Sequence, residues 1–108
     1  MGEAQVLAKL TAYALANGYH FTFTHKRFFL SLLEYALSNG EETGDGLRVC
    51  LSEADMSVKF SISLRMVIQS LKVFSESGIL LRQENDIKAF PWKPYYTIIR
   101  TNLIFGKE

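Results

Sequence analysis

The sequence is poor in residues that build metal sites and disulfides. Its 108 residues include one cysteine, Cys50, and two histidines, His20 and His25. One cysteine cannot form a disulfide within the chain, and these three residues lack the spacing of a structural zinc site. We therefore expect Cys50 to be a small buried residue, and we expect neither a metal nor an organic cofactor.

Long apolar runs are also absent. Apolar runs such as residues 28–30 and 79–81 end far short of the roughly 18 to 20 residues that a membrane-spanning helix needs. Residues 1–4 lack the basic start and the apolar stretch of a secretory signal. The prediction is a cytoplasmic protein with no membrane partner.

The common signatures of nucleotide and metal enzymes are missing as well. The chain has no glycine-rich phosphate loop, no HExxH motif and no paired-cysteine motif. Nothing marks a nucleophile with its base and orienting acid, so we expect no enzymatic activity. A group of aromatic residues is predicted to belong to the core rather than to a ligand pocket: Tyr19, Phe21, Phe23, Phe28 and Phe29.

Charge is small in total but uneven along the chain. The formal net charge is +1, which argues against a nonspecific nucleic-acid coat. Residues 1–46 carry three basic and five acidic side chains, whereas residues 47–108 carry nine basic and six acidic ones. A binding surface for an anionic partner is therefore expected in the second part of the chain.

What the chain does contain is enough apolar sequence, 48%, for one compact core. Apolar residues at three- and four-residue steps predict amphipathic helices over residues 3–16 and 25–38, the second capped by Thr24. Residues 41–46 are predicted to be an exposed loop, followed by a short strand over residues 47–50. We expect a single domain.

Residues 52–77 predict two helices joined by a short turn. Ser52 and Asp55 have the spacing of a capping box, which begins the first of these helices. Ser63 caps the second, and Gly78 ends it.

The remaining sequence predicts a hairpin. Residues 79–81 and 95–101 are rich in the aliphatic, aromatic and β-branched residues that favour strands. Residues 91–94, Pro-Trp-Lys-Pro, belong at a hairpin tip because proline cannot donate a ladder hydrogen bond. The predicted fold is α+β, mainly helical with a small antiparallel sheet.

Residues 51–63, Leu-Ser-Glu-Ala-Asp-Met-Ser-Val-Lys-Phe-Ser-Ile-Ser, resemble the helix-turn-helix of bacterial winged-helix regulators. The block is most similar to the C-terminal domain of the Crp/Fnr family. Ser57 matches the small residue required where the two helices cross. A small turn residue, an aliphatic core residue and a capping residue are matched by Ser61, Ile62 and Ser63. The resemblance covers about residues 28–101 and does not include the family's ligand-sensing barrel.

The resemblance implies that the helix beginning at Leu64 enters the major groove of double-stranded DNA. Arg65 would then contact guanine, Gln69 adenine, and Lys72 a phosphate. Further phosphate or minor-groove contacts are expected from two serines of the turn and three bases of the wing: Ser61, Ser63, Arg82, Lys88 and Lys93.

The predicted function is sequence-specific DNA binding by a homodimeric transcription regulator. The dimer contact is expected on the first helix or on residues 103–105, unless these segments pack within one chain. Two alternatives stay open: a plasmid or viral replication or partition protein, and an adaptor that binds only protein. Exposure of Leu64, Met66 or Ile68 would favour the adaptor. A protein of the transcription or replication machinery is a further expected partner.

Overall fold

Helices and a small sheet make up the computed structural model, which describes residues 2–84 and 95–106. Within these residues the helices are α1 (Glu3–Asn17), α2 (Phe23–Asn39), α3 (Glu53–Phe60), α4 (Leu64–Glu76) and α5 (Thr101–Phe105). The strands are β1 (Glu41–Glu42), β2 (Leu47–Val49), β3 (Leu80–Glu84) and β4 (Tyr95–Ile99). The predicted α+β class is confirmed. No helix in the described part of the chain is both long and apolar enough to span a bilayer.

The strands form one antiparallel sheet in the order β1-β2-β4-β3, with β1 and β3 at its edges. Ile99 of the central strand β4 pairs with Leu47 on one side and with Leu80 on the other. The ribbon of β3 and β4 therefore follows α4 directly in the chain and joins it to β2 through the sheet.

The segment predicted to be an exposed loop, residues 41–46, contains strand β1. Glu41 lies opposite Arg48 in the register of β1 and β2, and the two side chains form an ion pair. The hairpin is closed by the N–H of Thr43, which donates to the carbonyl oxygen of Gly46 at 2.7 Å. The loop prediction was wrong only for Glu41 and Glu42, because the charged and glycine-rich composition marks a turn without showing which flanking residues pair.

The core is centred on α2, as its broad apolar face predicts. Phe28, Phe29 and Leu32 are at most 1% exposed, and the ring of Phe74 from α4 lies 5.4 Å from that of Phe29, centroid to centroid. α1 adds a buried stripe of Val6, Leu10 and Ala14 and packs within the chain against α2 and α5. The aromatic prediction was wrong for two residues, Tyr19 and Phe23, which are 40% and 70% exposed.

Cys50 is exposed, which corrects the expectation of a buried thiol. Its neighbours Val49 and Leu51 are each 3% exposed. Successive side chains of an extended backbone point to opposite sides, so burial of these two turns Cys50 toward solvent.

The C-terminal strand also ends earlier than predicted. β4 stops at Ile99, and residues 101–105 form the short helix α5 instead of continuing the strand. Ile104 of this helix is buried, whereas Leu103 is 41% exposed. Packing of α5 against α1 places Ile104 in the core, a long-range contact that outweighs the strand preference of Thr101.

Helix α2 begins two residues earlier than predicted because Thr22, not Thr24, is its cap. The Thr22 hydroxyl accepts the N–H of His25 at 3.2 Å, and His25 Nδ1 accepts the N–H of Thr22 at 3.3 Å. This reciprocal pair satisfies two backbone donors that a helix start leaves without partners.

The cap makes stability depend on pH. Burial, and to a smaller extent the neighbouring His20, holds the pKa of His25 below its ordinary value of 6.5. The folded chain therefore binds fewer protons than the unfolded chain, so this contribution is complete above about pH 6.5 and is lost as the pH falls toward the folded-state pKa. Protonation also occupies the Nδ1 lone pair that accepts the Thr22 N–H.

We expect His25→Gln to flatten the fall in the free energy of unfolding between about pH 7 and pH 5, as measured by urea denaturation. The control variant His20→Gln should keep most of the wild-type slope, because burial is the larger cause of the pKa shift. Equal slopes for His25→Gln and wild type would contradict this role of the cap.

Candidate functional site

The structure brings α3 and α4 together across a three-residue turn, residues 61–63. The capping box predicted for α3 is confirmed: Ser52 Oγ accepts the N–H of Asp55 at 3.0 Å, and the Asp55 carboxylate accepts the N–H of Ser52 at 3.3 Å. Met56 of α3 is fully buried. The start of α3 and its contact with the core are thus both defined by its first turn.

The turn is held by the small side chain of Ser57. Its hydroxyl donates to the carbonyl oxygen of Ile62 at 2.6 Å, and the N–H of Ile62 donates to the carbonyl oxygen of Ser57 at 3.2 Å. Ser61 between them adopts the left-handed conformation, with φ 55°. Ile62 packs against the core, in agreement with the aliphatic role predicted for it.

Helix α4 begins at the predicted cap. Ser63 Oγ accepts the N–H of Met66 at 3.1 Å. Both Ser61 and Ser63 are exposed, so their hydroxyl groups are accessible to a phosphate oxygen that could accept a hydrogen bond.

Helix α4 has one buried and one exposed face. Val67, Ser70, Leu71 and Phe74 are buried. The predicted contact residues Arg65, Gln69 and Lys72 are all exposed, and their four- and three-residue spacing places them in one row on the opposite face. The structure therefore brings together the three side chains predicted to approach DNA.

Apolar side chains border this row. Leu64 and Ile68 are 47% and 46% exposed, and Met66 is half-buried. This is the arrangement that favours a protein partner, because an exposed apolar pair is stabilised when a partner covers it. Leucine and isoleucine at the same place can also contact the methyl group of thymine in the major groove.

Arg82, which was predicted to contact DNA from the wing, is largely covered. The side chain of Arg82 is 17% exposed, and its guanidinium lies 3.9 Å from the carboxylate of Glu53 in the first turn of α3. Arg82 thus links β3 to α3, and only a small part of it is available to DNA. Lys88 and Lys93 lie outside the described residues, as does Trp92 of the predicted hairpin tip.

Two long-range hydrogen bonds position the end of α4, and the sequence analysis missed both. The Tyr13 hydroxyl of α1 donates to the carbonyl oxygen of Ser77 at 2.8 Å. The Arg100 guanidinium donates to the carbonyl oxygen of Gly78 at 3.2 Å. Local sequence carries no signal for these contacts, because the partners are 64 and 22 residues apart.

The described part of the chain shows no group of three or more histidine, cysteine, aspartate or glutamate side chains that could hold a metal ion. Comparison with family models, curated proteins and solved structures finds no match to this chain. The geometry of α3, α4 and the β3-β4 ribbon is therefore the basis for a proposed function.

Proposed function

We propose that this chain is a winged helix-turn-helix protein that binds a specific site on double-stranded DNA. The observation that carries the proposal is the exposed row of Arg65, Gln69 and Lys72 on α4, the second helix of a tightly joined pair. In a helix-turn-helix, the second helix lies in the major groove and its first turns contact base edges.

The charges on α4 support an anionic partner. Its first turn contains no acidic residue and includes Arg65. The unpaired N–H groups and the dipole at a helix start also attract phosphate. Glu76, on the same side, lies at the opposite end of the helix, where the proposed docking leaves it clear of the bases.

The side-chain types fit base recognition. Arg65 can donate two hydrogen bonds to guanine, and Gln69 can pair with adenine. Lys72 is better suited to a phosphate, which positions the protein without reading sequence. The antiparallel ribbon of β3 and β4 follows α4 and is proposed as the wing that approaches the adjacent backbone.

One module of this size covers a limited DNA surface, so specificity is best achieved by two copies on half-sites about one helical turn apart. The proposed activity is therefore that of a cytoplasmic, homodimeric regulator of transcription. It acts by occupying its site, with no chemistry of its own.

The test is selection of bound duplexes from a random library, followed by affinity measurements on the enriched site at several salt concentrations. Arg65→Ala should weaken binding to that site by about 1–3 kcal/mol, roughly 5- to 150-fold, and relax preference at one position. Lys72→Ala should weaken binding to all sequences alike and lower the salt dependence by about one phosphate contact.

The matched control is Lys9→Ala, which removes an exposed cation from α1 and should leave binding unchanged. If the Arg65→Ala and Lys72→Ala variants both bind DNA with wild-type affinity, α4 is not the recognition helix.

The exposed pair of Leu64 and Ile68 favours one second candidate, an adaptor that docks a protein on α4. The same selection separates the two functions. An adaptor enriches no duplex and shows no steep loss of binding with salt, because it releases no counterions.

A further inference from the structure

Five side chains form a row along the outer face of α2: Phe23, Arg27, Leu30, Glu34 and Leu37. Their spacing alternates between four and three residues, which is the repeat of a helix seam that packs against another helix. We call this row the α2 stripe. Phe23 and Leu37 are 70% and 71% exposed, Arg27 and Glu34 are exposed, and Leu30 is half-buried.

The α2 stripe faces away from α4. Helix α2 meets α4 through its opposite side, where Phe28 and Phe29 contact the ring of Phe74 at centroid distances of 6.4 and 5.4 Å. A partner on the stripe would therefore leave the exposed row of α4 accessible.

Shallow grooves run beside the stripe, between α2 and the first turns of α1. One is lined by Phe23, Arg27, Leu30 and Glu34 together with Leu7, and the next continues along Leu30, Glu34 and Leu37. Glu3 of α1 borders both grooves. The surface thus offers apolar positions at its two ends and in its middle, with charged positions between them.

The stripe is complementary to a second copy of itself that runs in the opposite direction. When Leu30 is placed on a two-fold axis with a second α2 running antiparallel, Phe23 meets the partner's Leu37. Arg27 and the partner's Glu34 then lie within one residue of each other along the helix axis, and the same contacts recur on the other side of the two-fold axis. No ion pair within the described residues occupies Arg27 or Glu34.

A parallel arrangement lacks this complementarity. It would place Arg27 against Arg27 and Glu34 against Glu34, and like charges facing each other across an interface cost several kcal/mol. The charges of the stripe therefore fit a second copy of this chain that lies antiparallel and disfavour one that lies parallel.

We propose that two copies of this chain associate through their α2 stripes as an antiparallel, two-fold pair. This proposal rests on the proposed function and specifies the contact through which its homodimer forms. The contact forms without DNA. It also differs from the contacts expected from the sequence, since α1 borders the interface and residues 103–105 lie outside it. A single helix pair covers less than the roughly 800 Å² per partner of a standard interface, so association should depend visibly on concentration.

The first experiment is sedimentation equilibrium of DNA-free protein over a wide concentration range. Wild type should dimerise, and Arg27→Glu and Glu34→Arg should each raise the dissociation constant at least about tenfold, because each places like charges at both symmetric contacts. The double variant R27E/E34R exchanges the two charges and should restore most of the association. Circular dichroism checks that all four proteins are folded.

A wild type that stays monomeric, or a double variant as weak as the single ones, overturns the proposal. Because no DNA is present, failure here is separate from failure of DNA binding. A chain that is monomeric without DNA but still selects a duplex would keep the proposed DNA binding and remove only this interface.

Disulfide cross-linking tests the direction of the pair. Cys50 is exposed and must first be replaced by serine. In that background, F23C and L37C proteins should cross-link when mixed and not when alone, because the two positions meet only in an antiparallel pair. L15C, on an exposed position of α1 outside the stripe, is the control and should cross-link with neither. Cross-linking of F23C with itself would contradict the proposed direction.

Discussion

Replacing Gly46 by alanine should lower the free energy of unfolding by about 3 kcal/mol, at the upper end of the cost of overpacking a tight site. A Cβ atom on Gly46 would lie 2.0 Å from the carbonyl oxygen of Ile99 and 2.8 Å from the backbone nitrogen of Thr101. Both are backbone atoms at the junction of β4 and α5, so neither can rotate away. Relief of the contact requires the β1-β2 hairpin to move away from the junction of β4 and α5.

Gly44 supplies the matched control two residues earlier in the same turn. A Cβ atom on Gly44 would meet no atom within 4 Å. Both substitutions reduce the freedom of the unfolded chain equally, so their difference reports the folded-state clash. Urea denaturation of the two variants measures this difference, and a value below about 0.5 kcal/mol would contradict the close approach of Gly46 to Ile99.

Phe74→Ala should cost about 3–5 kcal/mol of stability, the range for removing a large buried aromatic side chain. Phe74 is fully buried, and its ring lies 4.9 Å from that of Phe21 and 5.4 Å from that of Phe29, centroid to centroid. It joins α4 to α2, so its removal leaves a cavity beneath the proposed recognition helix. Thermal or urea unfolding monitored by circular dichroism gives the loss directly.

Phe23→Ala is the control, because it removes the same side chain from a position that is 70% exposed. In dilute protein, where the proposed pairing through the α2 stripe would contribute little, it should change stability by less than about 0.5 kcal/mol. Similar losses for the two variants would mean that Phe74 is not the central contact between α2 and α4.

The helix pair α3 and α4 was predictable to within one or two residues because its signals are local. The side chains of Ser52, Asp55 and Ser63 contact backbone groups only three residues away. The start of α2 was harder, since Thr22 and Thr24 both offer a capping hydroxyl. Thr22 is the cap because the ring of His25 also accepts the backbone N–H of Thr22, a reciprocal hydrogen bond that the spacing alone does not reveal.

The predictions from sequence were wrong where contacts between distant residues determine the structure. The strand preference of residues 95–101 does not include the packing of α5 on α1, so β4 was predicted two residues too long. Alternation of burial around Cys50 likewise depends on what covers Val49 and Leu51. These features become visible only when the elements are assembled.

For the candidate site, the resemblance gave Arg65, Gln69 and Lys72 as contact residues, and all three lie on one exposed face of α4. It could not show that Arg82 lies against Glu53, 29 positions away in sequence, and is largely covered. Nor could it show how exposed Leu64 and Ile68 are, because their burial depends on how α4 lies against the rest of the chain. DNA binding itself stays a prediction.

The order of the sheet also bears on solubility. Of its two described edges, one is β1, which is only two residues long and consists of Glu41 and Glu42. So short an edge exposes few unpaired backbone groups, and the charged side chain of Glu42 disfavours pairing with an identical strand from another molecule. Edge-to-edge association of two molecules is therefore disfavoured on the β1 side of the sheet.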